Sequence, residues 1–133
     1  LPNLLVPRDG IIDTGSPFSW FPEAIWSQFR RGTDYEELPL EPGTIAPSGR
    51  TAGWNFTFRF VRFLQPIGLH DGSSELVRNN VIAQFTNGNP PSFARTNAPA
   101  VAVIGLWGGA LEGTSVRIAT DATTGRLTGA IEW

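Results

Sequence analysis

The sequence predicts an all-β fold with one or two short helices, and three observations carry that expectation. Glycine (15) and proline (11) are spread along the 133 residues and cut the chain into short pieces, the rhythm of a domain rich in turns. Trp54, Phe56, Phe58 and Phe60 alternate with Asn55, Thr57, Arg59 and Val61, the period of two that belongs to strands. A single stretch near the front, residues 22–31, has clear helical spacing.

Taken in order, Leu4, Leu5 and Val6 make a short apolar strand candidate, and Ile11-Ile12 makes another that runs directly into Asp13-Thr14-Gly15-Ser16. The helix expected over 22–31 begins with Pro22 in its first turn and Glu23 at the positive end of its dipole. Ala24, Ile25, Gln28 and Phe29 follow its spacing, Arg30 and Arg31 lie at its negative end, and Gly32 stops it. Residues 33–53 are polar and broken by Pro39, Pro42 and Pro47. The strand over 54–64 slips at Arg62-Phe63, where a bulge or an end is expected. A turn at His70-Asp71-Gly72-Ser73 leads to a returning strand over 75–85, and a Pro/Asn-rich loop fills 86–99. The continuous apolar run 100–104 reads as a buried central strand ending in Gly105. Residues 106–111 are a short-helix candidate weakened by Gly108-Gly109, and 115–120 and 126–133 read as two closing strands about Thr124-Gly125.

Composition narrows the function. Charged residues are 17% and hydrophobic residues 41%, which suits one folded domain over 1–133 rather than a disordered chain. A net charge of −2 gives no basic footprint for nucleic acid. There is no cysteine, so disulfides, a thiolate nucleophile and cysteine zinc sites are excluded, and the one histidine, His70, cannot by itself build a His-rich metal site. Neither a metal nor another cofactor is expected. No apolar run approaches the length of a membrane span, and no signal peptide is visible. Methionine is absent, so the chain is expected to be a processed product or an excised domain. All ten basic residues are arginines, a codon bias of GC-rich genomes.

Asp13-Thr14-Gly15 is the motif that carries chemistry. Hydrolysing an amide without a metal or a covalent intermediate needs a water that is both oriented and deprotonated. Two carboxyl groups close enough to share one proton provide this, because like-charge repulsion leaves one ionised as base and the other protonated as acid. Gly15 permits close approach of two facing loops, the Thr14 hydroxyl can tie one loop to its partner, and the Ser16 hydroxyl can donate to the carboxylate. The tripeptide alone also suits an Asp-initiated turn between strands.

Its context resembles the aspartic proteases. Ile11-Ile12-Asp13-Thr14-Gly15-Ser16 is similar to their active-site loop, and Val103-Ile104-Gly105 is similar to their second signature, an apolar pair and glycine leading into a short helix. The order of these motifs, with a flap-like region and long strands between, resembles the single-lobed, retropepsin-like branch and suits a bacterial-type member. The resemblance implies a closed-barrel, pepsin-lobe fold and a catalytic Asp13 supported by Thr14, Gly15 and Ser16. It also implies a bracing strand at Ile104-Gly105 beneath the loop, and a final hairpin. With no second Asp-Thr/Ser-Gly in the chain, it implies a homodimer in which each copy brings one aspartate to a polypeptide substrate. The flap is expected within 43–53, with Gly49 near the tip beside Arg50 and Thr51, although Pro42 and Pro47 are awkward for hairpin pairing. Two departures stand out: only 12 residues precede Asp13, and Leu106-Trp107 replaces the polar pair common after the glycine in viral members.

The remaining candidates have plainer readings. Trp20, Trp26, Trp54 and Trp107 are expected in the core, and Trp133 at the dimer contact. His70, Asp71 and Ser73 mimic a triad on paper but sit on an exposed turn, and Arg59 and Arg62 are expected to solvate the outer strand face. Two other functions stay open: a catalytically inactive dimerisation or peptide-binding domain of the same fold, and a tryptophan-rich β-sandwich that binds carbohydrate.

Overall fold

The computed structural model describes residues 10–51, 53–70, 73–91 and 100–132. The strand expected at Leu4-Leu5-Val6, most of the loop 86–99, and Trp133 lie outside them. The elements run β1 (Gly10–Ile12), β2 (Ser19–Phe21), α1 (Glu23–Trp26), β3 (Tyr35–Glu37), β4 (Ser48–Thr51), β5 (Trp54–Phe63), β6 (Ile67–His70), β7 (Glu75–Arg78), β8 (Ile82–Thr86), β9 (Ala102–Ile104), β10 (Ser115–Thr120) and β11 (Leu127–Glu132). The all-β expectation holds, and no helix among the described residues is long and apolar enough to cross a membrane.

Seven strands form one mixed sheet in the order β1-β9-β2-β8-β5-β3, with β4 also paired to β5. Hairpins β6–β7 and β10–β11 stand as separate two-stranded sheets. β9 is the apolar central strand that its continuous run predicts: β1 lies parallel on one side of it and β2 antiparallel on the other. β8 pairs parallel with β2 and antiparallel with β5.

The sheet has two faces of different character. One is the core, where Phe85 is ringed by Phe21, Phe29, Phe63 and Tyr35 with ring centroids 4.8–6.0 Å away, mostly edge to face. Val61, Ala83, Ala102 and Ile104 complete it with Ile25 from α1 and with Ala110 and Leu111. Burying each of the large rings stabilises the fold by about 2–3 kcal/mol. α1 is fastened on this side: the Trp26 ring stacks on Phe85 at 5.6 Å, and its Nε1 donates to the Thr86 carbonyl at 2.7 Å. The other face carries the even-numbered rings of β5 together with Trp20 from β2 and Phe18 just before it.

Several elements differ from the sequence expectation, each for a tertiary reason. The helix expected over 22–31 stops at Trp26. Beyond it the bonds tighten to three-residue spacing, Gln28 N to Ile25 O and Phe29 N to Trp26 O, which swings Phe29 into the ring cluster. The buried Asp34 carboxylate then takes the Arg30 N–H at 2.7 Å that a further helical turn would have used. The returning strand over 75–85 is two strands, because Asn80 adopts a left-handed φ of 56° between β7 and β8. No helix follows Gly105: Gly108 and Gly109 take φ of 95° and 97°, and a Cβ at Gly108 would run into the Ile82 carbonyl, which lies against the chain there. Arg59 does not solvate an outer face, since its guanidinium lies 4.8 Å over the Trp26 ring and reaches Glu37 at 3.2 Å. Arg62 is on the exposed side, forked onto Glu36.

Candidate functional site

Asp13 leaves the carboxyl end of β1. Its N–H donates to the Ile104 carbonyl at 2.9 Å, which extends the parallel β1–β9 ladder by one residue and holds the aspartate backbone rigid. The chain then turns sharply, Ser16 N to Asp13 O at 3.0 Å, and the Gly15 N–H donates to Asp13 Oδ1 at 2.9 Å. One carboxylate oxygen is thus fixed by the turn that the aspartate itself initiates. Ser16 departs from expectation: its hydroxyl donates to the Phe18 carbonyl at 2.7 Å and not to the carboxylate. It stiffens the loop rather than tuning the acid.

The segment after Ile104 passes directly under this loop. Leu106 N donates to Ser16 O at 3.0 Å, Trp107 N donates to Pro17 O, and the Gly105 N–H donates to the hydroxyl of the buried Ser19 at 3.1 Å. A Cβ on Gly105 would stand 2.5 Å from the Phe18 carbonyl carbon and oxygen and 2.6 Å from Ser16 O. Only glycine lets the two backbones come this close. Ile104 and Gly105 therefore contact the Asp13 loop as a brace. Ser19 is the neighbour of the candidate site that sequence reasoning missed; its signal was a small polar residue on the inward phase of an aromatic segment, Phe18-Ser19-Trp20-Phe21.

Strand register decides which way the aspartate faces. Ile11 is paired with Val103, and Val103 with Trp20, so these three share one face of the pleated sheet. Asp13 lies two residues beyond Ile11 and shares that face, opposite to the core. Exposed apolar side chains lie nearby: Ile11 (52% exposed) shares its face, and Leu106 (46%) and Trp107 (61%) belong to the segment bonded to its loop, whereas Ile12, paired with Ile104, is on the opposite face; Thr14 and Gly15 are exposed beside the acid. Trp107 touches Phe18 edge to face at 5.8 Å and otherwise points outward, contrary to the core position expected of it. Among the described residues no three His, Cys, Asp or Glu side chains cluster as metal ligands.

Comparison with known protein families, with curated proteins and with solved structures finds no match to this chain.

The other sequence-predicted residues are placed as follows. Gly49, Arg50 and Thr51 form most of β4, paired with Phe56, Asn55 and Trp54 of β5. A hairpin is present, but its last pair is Thr51 with Trp54, and Gly53 beyond it has φ of 77°, so Gly49 is not at the tip. Gly49 has a different reason to be glycine: the Phe56 ring lies across it, and a Cβ there would meet Cζ at 2.7 Å. Pro47 lies just before β4, where its carbonyl accepts from Phe58 N at 3.0 Å, so the proline does not interrupt the pairing. His70 pairs with Glu75 on the β6–β7 hairpin, off the sheet that bears Asp13. Asp71 and Gly72 lie outside the described residues. Among the described residues the acidity is clearly shifted at Asp121, held below the ordinary carboxylate range by the backbone N–H groups of Thr124 and Thr123, in the turn between β10 and β11.

Proposed function

We propose that this chain is one half of an aspartic endopeptidase, a retropepsin-like closed-barrel subunit that places Asp13 opposite Asp13 of a second copy. The observation that carries the reading is a carboxylate on a tight, glycine-braced turn, with exposed apolar side chains on the neighbouring segment. A lone carboxylate held in this way is a poor catalyst. Two of them across an isologous two-fold contact can share one proton, with apparent pKa values that belong to the pair. The ionised member takes a proton from the bridging water, whose oxygen attacks the scissile carbonyl carbon. The protonated member gives its proton to the carbonyl oxygen, and the tetrahedral adduct collapses with protonation of the leaving nitrogen. Gly15 N–H on Oδ1 keeps the acid oriented through this exchange.

Ile11, Leu106 and Trp107 supply apolar area for the second copy, where viral members use a polar pair after the glycine. The half-buried aromatic rings weigh against a sugar-binding sandwich, since Trp20, Trp54 and Phe56 stack on one another and do not present a flat row. A catalytically inactive dimerisation domain would share the same patch and is separated by cleavage and by inhibitor binding.

The test is cleavage of an unstructured protein at mildly acid pH by the unmodified chain and by Asp13→Asn. The variant should lose about a thousandfold or more in rate while keeping its fold and its dimer. Cleavage that survives the substitution, or that tracks a monomer in sedimentation, removes the mechanism. Binding of a statine-type inhibitor by the unmodified chain distinguishes a competent pair from an inactive module.

A further inference from the structure

The segment that follows β8 ties three elements together. Asn87, one residue beyond the strand, donates its N–H to the Thr57 carbonyl at 2.8 Å, and its carboxamide Nδ2 donates to the Thr57 hydroxyl. Both bonds fall where β5 changes partners from β8 to β4. Gly88 then turns with φ of 84°, and its carbonyl accepts from Glu23 N at 3.1 Å and from Thr86 Oγ1 at 3.0 Å. Asn89 Oδ1 accepts from Ala24 N at 2.8 Å. α1 follows Pro22, which gives it no side-chain cap, so its first two amides are met by residues 88 and 89.

An asparagine followed by glycine is also a reactive pair. The amide nitrogen of the following residue can attack the carboxamide carbon and close a cyclic imide, and a side chain on that residue crowds the attack. Among the described asparagines the successor discriminates. Asn55 precedes Phe56, Asn79 precedes Asn80, and Asn80 precedes the buried Val81. Asn89 precedes Pro90, which has no N–H to lose. Asn87 alone among them precedes glycine; it is exposed, and the space where a Gly88 Cβ would stand is open.

We infer that Asn87 is a site of spontaneous deamidation, and that the Thr57 hydroxyl holds it in check by keeping the carboxamide turned toward β5. The steps balance with water as the only co-reactant. The Gly88 nitrogen bonds to Asn87 Cγ as the Cγ–Nδ2 bond breaks. The Gly88 proton passes through solvent to Nδ2, which leaves as ammonia. Water then opens the imide at either carbonyl. Opening at Cγ leaves an aspartate at position 87; opening at the backbone carbonyl leaves an isoaspartyl link, with one more carbon in the main chain.

The two products differ in what they do to the fold. An aspartate keeps the backbone, and the Thr57 hydroxyl can rotate to donate to it. The isoaspartyl link lengthens the chain between the Asn87–Thr57 and Gly88–Glu23 backbone bonds, so both cannot be kept, and α1 loses its cap. The adjacent reporter is Trp26, whose Nε1–H donates to the Thr86 carbonyl. None of this depends on the reading of Asp13.

The experiment ages the unmodified chain, Thr57→Val, Thr57→Ser, Gly88→Ala and Asn87→Asp in mildly alkaline buffer. Tryptic peptides are read by mass spectrometry for exchange of ammonia for water, and isoaspartyl residues by methyltransferase labelling. A synthetic peptide of residues 79–95 supplies the unrestrained rate. Asn87 should convert ahead of every other described asparagine, and more slowly than in the peptide. Thr57→Val should speed conversion about fivefold, the worth of one hydrogen bond, and Thr57→Ser should leave it unchanged. Gly88→Ala should slow it about tenfold or more, since the added methyl crowds the attacking nitrogen. In NMR exchange, the Trp26 indole N–H should be about fivefold faster in isoaspartyl-rich aged protein and unaltered in Asn87→Asp. If Thr57→Val does not fold, Thr57→Ala gives the same reading. Conversion first at another described asparagine, none at Asn87 while the peptide converts, or a rate indifferent to loss of the Thr57 hydroxyl overturns the inference.

Discussion

Gly105→Ala is the sharpest structural perturbation that the site offers. The added methyl would stand 2.5 Å from the Phe18 carbonyl group and 2.6 Å from Ser16 O, all backbone atoms in a turned loop and none the end of a flexible side chain. Relief requires the Asp13 loop and the 104–107 segment to separate, and overpacking of this kind costs about 1–3 kcal/mol. Separation also strains two hydrogen bonds, Leu106 N to Ser16 O and Gly105 N to Ser19 Oγ, each worth about 1 kcal/mol. The sum, about 3–5 kcal/mol, is a large part of the stability of a domain of this size, about 5–15 kcal/mol. Urea unfolding followed by tryptophan fluorescence and by circular dichroism, at fixed protein concentration because of linkage to any dimer, should show this loss. The melting temperature should fall by roughly 10 °C or more. A loss below about 1 kcal/mol would mean that the loop gives way freely, and the brace would then not be rigid enough to hold an aspartate for catalysis.

Three further expectations follow from particular contacts. Ser19→Ala removes the acceptor of the buried Gly105 N–H and should cost about 1–3 kcal/mol in the same unfolding assay; a neutral result would show that the amide finds another partner. For the proposed dimer, Trp107→Ala removes a large exposed ring from the segment beside the Asp13 loop, and sedimentation should show dissociation increased about tenfold or more with no change in monomer fold; an unaltered dimer would place the contact elsewhere. Asp121 accepts from the Thr124 and Thr123 amides, so its folded pKa is depressed and its contribution is full above about pH 4 and lost as pH falls through the lowered value. NMR titration of that carboxyl should give a midpoint below 3.8, and a midpoint at or above it contradicts the turn geometry.

The local chemistry of the site was legible in the sequence because each piece depends on neighbours in the chain. An apolar pair before Asp13 forms a strand, Asp-Thr-Gly forms a turn in which Gly15 N–H meets the aspartate carboxylate, and the strand ending at Ile104 is followed by glycine where two backbones meet. Ser16 was assigned the wrong acceptor because the carboxylate and the Phe18 carbonyl are both within local reach of its hydroxyl, and only the fold of the loop chooses between them. The hairpin tip was misplaced because Gly49 and Gly53 look alike on paper. One is glycine to make room for the Phe56 ring and the other to adopt a positive φ.

By itself, then, the amino-acid order determined that this is an all-β chain, where its long strand runs, and that one aspartate sits on a tight turn after a strand. Alternation at a period of two states that β5 has two faces; with Val61 and Phe63 on one and four rings on the other, it does not state which is buried. That was decided by what packs on each side, Phe85 and α1 against one face and Trp20 against the other. The packing of Phe29 that ends the helix, the bend that folds the hairpin over the sheet, and the approach of Leu106 and Trp107 to the Asp13 loop are likewise tertiary. Each joins residues far apart in the chain, through contacts that no local propensity encodes.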